Sequence, residues 1–231
     1  MTIEHQPNLG DRLNILRAGV LGANDGIVST AGIVIGVAGA TLVPFAILTA
    51  GIAGLTAGAL SMAVGEYVSV SAQRDTEKAL LDKERRELAE MPEEELAELA
   101  GLYEAKGLDS ELALQVATQL HAHDALAAHA ETELGIDPDE LTSPWVAAVS
   151  SAVSFTVGSI LPLLAIMLAP TSLKVIITVV AVAAALVLTG FLSARAGGTS
   201  HGRSIMRNVA GGLFAMAVTY GIGRLVGHSL G

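Results

Sequence analysis

The sequence predicts an all-α membrane protein: five transmembrane helices, with an acidic three-helix insert between the second and third. Three observations lead there. The chain of 231 residues is 52% hydrophobic yet only 3% aromatic, and its mean hydropathy is +0.57, where a soluble domain would carry more charge and more aromatic core anchors. Five stretches reach the roughly 20 apolar residues that a bilayer span needs: 19–41, 46–70, 145–168, 173–195 and 206–228. Charge is concentrated in one place. Between Asp75 and Glu140 lie 19 acidic residues against five basic ones, a net −14, and nothing acidic follows Glu140.

The first two spans are joined by 41-TLVPF-45 and the third and fourth by 169-APTS-172, connections short enough only for adjacent antiparallel helices. The last two are joined by 196-AGGTSHGRSI-205. Basic residues set the orientation. Arg12 and Arg17 precede span one, Arg74 and Lys78 follow span two, and Arg195, Arg203 and Arg207 surround the last loop, whereas the opposite side holds only Lys174 and Arg224. The N-terminal arm, the insert and the 196–205 loop are therefore expected to be cytoplasmic. The chain divides into 1–70 (arm and spans one and two), 71–141 (insert) and 142–231 (spans three to five). The start, 1-MTIEHQPNLGDRLNILRAG-19, has no secretory-signal order, and a bacterial plasma membrane is the expected location, with a vacuole-like membrane the alternative.

Within the insert, span two should run on unbroken through 67-YVSVSAQRDTEKALLDKERRELAE-90. Pro92 then opens a second helix, with Glu93 to Glu95 at its positive end, and Gly107 closes it. Asp109 or Ser110 caps a third helix over 111–134, ended by Gly135.

Several activities are excluded. No cysteine is present, so thiolate metal sites and thiol catalysis are absent. Neither a Glu-x-x-His pair for a di-iron oxidase nor a P-loop occurs, and so strongly acidic a surface repels nucleic acid. The chain is not expected to be an enzyme or to hold a prosthetic group.

The spans themselves hold two acidic residues, Asp25 and Glu66. A charge at membrane depth costs about 2.5–3.5 kcal/mol on insertion scales, and Asp25 lies about 9 Å of helical rise into span one. Met62 and Glu66 are four residues apart on one face of span two, and a thioether beside a carboxylate suits a transition ion over Mg2+ or Ca2+. Gly51, Gly54, Gly58 and Ser61 recur at spacings that let another helix approach closely.

In the insert, 84-ERRE-87 and 95-ELAE-98 each place two carboxylates on one helix face, and the break at 91-MP-92 lets Glu84, Glu87, Glu95 and Glu98 converge on a cation. The third helix offers His121, His129 and Glu133. Imidazole beside carboxylate suits Fe2+, Mn2+ or Zn2+. Converging carboxylates raise one another's pKa, so metal should compete with protons. His5, His201 and His228 are isolated and read as loop or terminal residues.

The motifs 22-GANDGIVST-30 and 58-GALSMAVGEYVSVSAQRD-75, with five spans and a Glu-rich helical insert, resemble the vacuolar iron transporter family. The resemblance covers nearly the whole chain. It implies a homodimeric transporter exporting Fe2+, often Mn2+, from the cytosol against protons. The ion path would use Asp25 and Met62, and the insert would bind metal through Glu84, Glu87, Glu95 and Glu98. The chain departs from the family where methionines often precede the last metal-binding glutamate: here 127-AAHAETELG-135 offers His129, Glu131 and Glu133 as alternatives. Zn2+ and Co2+ join Fe2+ and Mn2+ as candidate cargo. A membrane-tethered metal buffer or sensor is the competing reading, and a passive cation channel a third.

Overall fold

A computed structural model describes residues 9–139 and 141–230, with side chains from 19 to 139 and from 141 to 229. His5 and Glu140 lie outside the described residues. Among the described residues there are seven α-helices, α1 (Leu9–Ala40), α2 (Pro44–Glu90), α3 (Pro92–Ala105), α4 (Ser110–His129), α5 (Pro144–Leu168), α6 (Lys174–Ala196) and α7 (His201–Leu230), with a π-helical turn at Ala130–Leu134 after α4. Among the described residues there is no strand. Five helices, α1, α2, α5, α6 and α7, are long and apolar enough to cross a membrane. The first candidate span is Gly19–Ala40, as expected, whereas α7 starts earlier than expected, at His201, inside the stretch read as a loop.

Two compact units emerge, 1–66 with 145–231 and, separately, 67–144. In the first, α1 contributes Ile27, Ala31, Val34, Ile35 and Ala38 to a core shared with Ile47, Ile166, Val182, Leu186 and Met216. Between apolar helices in lipid, contact comes from close packing rather than from hydrophobic expulsion, and two glycines show how closely these helices meet. A Cβ on Gly158 of α5 would overlap the Ala23 carbonyl of α1, and one on Gly223 of α7 would overlap the Gly36 carbonyl. Polar side chains reinforce the crossings: Ser159 Oγ donates to the Gly26 carbonyl at 3.2 Å, and Thr189 Oγ1 donates to Asn24 Oδ1 at 3.4 Å. The small-residue stripe of α2 meets helices of the same chain. Gly51 faces Leu163 and Val34, Gly54 faces Ile33, and Gly58 faces the Phe155 ring.

α2 is one helix of 47 residues, about 70 Å long. In the second unit α3 and α4 pack through Leu99, Ala100 and Ala117, with Leu96, Tyr103 and Ala128 against them. Pro92 stands in the first turn of α3. Gly107 takes φ +104 in the turn to α4, a conformation that side chains other than glycine rarely adopt. Asp109 caps α4 by accepting from the Leu112 N–H at 3.0 Å. The expected single helix over 111–134 is interrupted twice. Asp124 leaves helical geometry (φ −155, ψ 98) and its Oδ1 accepts from the Ala127 N–H at 2.9 Å, capping a new segment. That segment then widens into the π-turn, which Gly135 ends at φ 66.

Candidate metal centre

α2, α3, α4 and the π-turn each supply one side chain to a cluster whose first three members are buried and whose fourth, Glu133, is exposed. Glu84 comes from the last turns of α2, and Glu95 from the first turn of α3, where helix N–H groups favour a carboxylate. His129 is the last residue of α4, and Glu133 stands four residues on. His129 is 0% exposed, Glu84 3% and Glu95 5%. From His129 Nδ1 the distances are 2.9 Å to Glu84 Oε1, 3.6 Å to Glu95 Oε2 and 3.9 Å to Glu133 Oε2.

These groups are close, yet several of their buried atoms have no hydrogen bond. Glu84 Oε1 and both nitrogens of His129 are buried and make no hydrogen bond. Such atoms are costly to leave unsatisfied and call for an explanation, an ion among the foremost. Ligand atoms about 2.0–2.2 Å from one ion stand about 3 Å apart at a right angle and about 4 Å apart across it. The observed 2.9 to 3.9 Å falls in that range, and ligand atoms of Glu84, His129 and Glu133 all lie within 4.8 Å of one another.

The electrostatics agree with a cation at this place. Burial, reinforced by the carboxylates of Glu133, Glu95 and Glu87, pushes Glu84 up to about 7. Burial with repulsion from Glu98 and other neighbours also raises Glu95, and burial with Glu98 raises Glu133. Burial, then His121, lowers His129, keeping its imidazole neutral with a lone pair free. These shifts favour protons on the carboxylates, with which a divalent ion would compete. The π-turn has its own support, since Tyr103 OH and Thr132 Oγ1 are hydrogen-bonded at 3.2 Å. π-turns within helices occur frequently at functional sites.

Residues 16–224 match the profile of the VIT family. The chain belongs to the VIT family. It is 44% identical to a vacuolar iron transporter of Acanthamoeba castellanii, over 96% of this chain and 82% of that protein. It is 39% identical to vacuolar iron transporter homolog 1 of Oryza sativa subsp. japonica, over 94% and 75%, and 35% identical to vacuolar iron transporter homolog 2 of Arabidopsis thaliana, over 98% and 93%. These VIT-family relatives are named as transporters, not enzymes.

Of the residues singled out in this VIT-family sequence, Glu84, Glu95, His129 and Glu133 come together. Glu87 is half-buried and ion-paired to Lys83 at 2.6 Å. Glu98 is exposed at the cluster's edge, where it acts on Glu95 and Glu133 through charge. Both glutamates of the π-turn are exposed, and it is Glu133 whose carboxylate lies in the group with Glu84 and His129. Among the span residues, Asp25 is exposed on α1 and accepts from Ser29 Oγ at 3.1 Å. Met62 and Glu66 are half-buried on α2. Among the described residues no hydrogen bond or ion pair joins Asp25 to Glu66. Sequence reasoning gave Asp124 no part. Its signal was a capping residue inside a helical pattern, three residues before the amide it caps.

Proposed function

We propose that the chain exports a divalent transition metal, Fe2+ or Mn2+, from the cytosol in exchange for protons. In this reading the acidic insert is cytoplasmic and collects the ion. The observation that carries it is the cluster of Glu84, Glu95, His129 and Glu133, in which buried atoms of Glu84 and His129 make no hydrogen bond, in a chain of the VIT family. Glu87 and Glu98 supply further charge around that group. Within the spans, Asp25, Met62 and Glu66 form the path. The Asp25 carboxylate compensates an ion for its lost water and takes a proton when the ion leaves, which couples the two flows. Zn2+ and Co2+ compete for the same donors. The functional unit is a homodimer, with the apolar face of α2 that carries Leu60, Val64 and Val68, exposed in one chain, covered by the second copy or by lipid. The relatives are eukaryotic and named for the vacuole, and give the plasma-membrane expectation no support; the proposal requires only a membrane with cytosol on the insert's side.

The test is Fe2+ and Mn2+ flux into sealed proteoliposomes, with and without a pH gradient, for wild type and Asp25→Asn. Gradient-dependent flux lost in the variant is the expected result. Flux indifferent to the gradient would identify a passive channel instead. One observation favours a tethered metal buffer: all four clustered residues lie within the 67–144 unit, so binding needs no span. Metal bound by the protein without flux above empty vesicles would establish that reading.

A further inference from the structure

The turn between α6 and α7 holds an open pocket of about 380 Å³, lined by Thr199, Ser200, Arg203, Met206 and Arg207. Two backbone bonds shape the turn: the Gly197 N–H donates to the Ser193 carbonyl and the Thr199 N–H to the Ala194 carbonyl, each at 3.0 Å. The His201 ring rests against Phe191 with centroids 5.0 Å apart, which ties the start of α7 to the end of α6. Arg203, Met206 and Arg207 follow at spacings that share one face of α7. Neither arginine has a counter-charge among the described residues, and no acidic residue follows Glu140 in the chain. The same face of α7 continues as apolar surface, with Met206 71% and Phe214 72% exposed. Phe191 and Leu192 are exposed at the adjoining end of α6. Unpaired cations at the ends of two candidate spans, bordering bare apolar side chains, mark the boundary between a bilayer's head groups and its acyl chains.

We propose that this pocket holds the phosphate of an anionic phospholipid. Arg203 and Arg207 oppose its charge, the Thr199 and Ser200 hydroxyls donate to its oxygens, and Met206 lies along the first carbons of its acyl chains. Arginine suits the task because its planar fork meets phosphate oxygens with two N–H groups at once. The first N–H groups of α7, which have no partner within the helix, add to the same field. A soluble phosphate would use the cations and the hydroxyls equally well; the bare apolar face beside them is what selects a lipid. In the orientation that the basic residues predict, this is the cytosolic leaflet, where anionic lipids collect and basic pockets between spans bind their head groups. The inference is independent of the metal centre, with which it shares no residue.

The experiment uses the full chain in detergent, titrated separately with phosphatidylglycerol, phosphatidylcholine and inorganic phosphate and read by native mass spectrometry. It compares wild type, the double variant Arg203→Gln with Arg207→Gln and, as control, Arg224→Gln at an exposed position toward the other end of α7. Wild type is expected to bind phosphatidylglycerol more tightly than phosphatidylcholine. That preference should fall about tenfold or more in the double variant and stay unchanged in Arg224→Gln. Equal binding of the two lipids by wild type, or a preference that survives the double variant, overturns the proposal. Inorganic phosphate that displaces phosphatidylglycerol at equal concentration would show a site for soluble anions and overturn the lipid as its occupant. Should the double variant lose its helical circular dichroism, phosphatidylglycerol with a photoactivatable head group decides on wild type: labelling within 199–207 upholds the pocket, and labelling confined to other segments refutes it.

Discussion

Nδ1 of His129 lies 2.9 Å from Oε1 of Glu84, yet neither atom makes a hydrogen bond. Two groups built to pair would have aligned. Two groups built to hold a third would be placed as these are. Glu84→Gln keeps the shape and removes the charge, so it should affect the protein with and without metal in opposite directions. The metal-free variant is expected to melt higher than wild type, since a carboxylate raised by burial and by like-charged neighbours is no longer forced to ionise. The gain in melting temperature on adding Co2+ should shrink, because a ligand at 100 times its Kd stabilises by about 2.7 kcal/mol and a weakened one by less. Thermal scans of both proteins with and without Co2+ check both signs.

Acidity should act on the two states oppositely as well. Burial and like-charged neighbours push Glu84 up to about 7 in the folded protein against an ordinary 4.5, so between those values the folded state holds a proton that the unfolded state has released. That contribution to stability is complete below pH 4.5 and is lost as the pH rises through about 7. Glu95 and Glu133 are shifted in the same direction. Metal binding must expel those protons, so affinity should climb over the same window. Melting curves between pH 5 and 8 are expected to fall with pH for the metal-free protein and to rise with pH when Co2+ is present.

Tyr103 reaches the π-turn through Thr132 at 3.2 Å, one residue from Glu133. Tyr103→Phe keeps the ring in the insert's core and removes the bond. Such a bond contributes about 1 kcal/mol, so Co2+ affinity should fall a few-fold at most, with the fold of the insert intact. Calorimetry beside Glu84→Gln makes the comparison, and a loss as large as that of Glu84→Gln would show that Tyr103 does more than hold the turn.

Helix crossings in the spans make a separate prediction. Gly158→Ala would drive a Cβ into the Ala23 carbonyl, and overpacking of this kind costs about 1–3 kcal/mol. Gly65→Ala meets nothing within 4 Å and should be neutral or slightly stabilising. Detergent-solubilised melting of the two variants separates a crossing from a merely small residue.

The spans were legible because a run of about 20 apolar residues has few other uses. The glutamate pairs of the insert were legible as faces but not as atoms. Residues three apart on a helix share a side without sharing a direction, so spacing alone does not separate buried Glu84 and Glu95 from half-buried Glu87 and exposed Glu98. The third insert helix was the least legible part. Ala-rich sequence around Asp124 has strong helical propensity, and a single capping bond against it, followed by a π-turn, leaves no periodic trace. That is why the sequence left Glu131 and Glu133 as alternatives, of which only Glu133 is grouped with Glu84 and His129.

One property of the cluster follows from what is missing in it. The donors gathered around His129 are nitrogen and oxygen; sulfur takes no part, and the chain has no cysteine at all. Ferrous ion in the presence of oxygen generates peroxide-derived oxidants, and sulfur ligands are the side chains that those oxidants convert stepwise to sulfoxides and sulfenic acids. A metal centre of nitrogen and oxygen donors, as proposed, offers that sulfur chemistry no ligand.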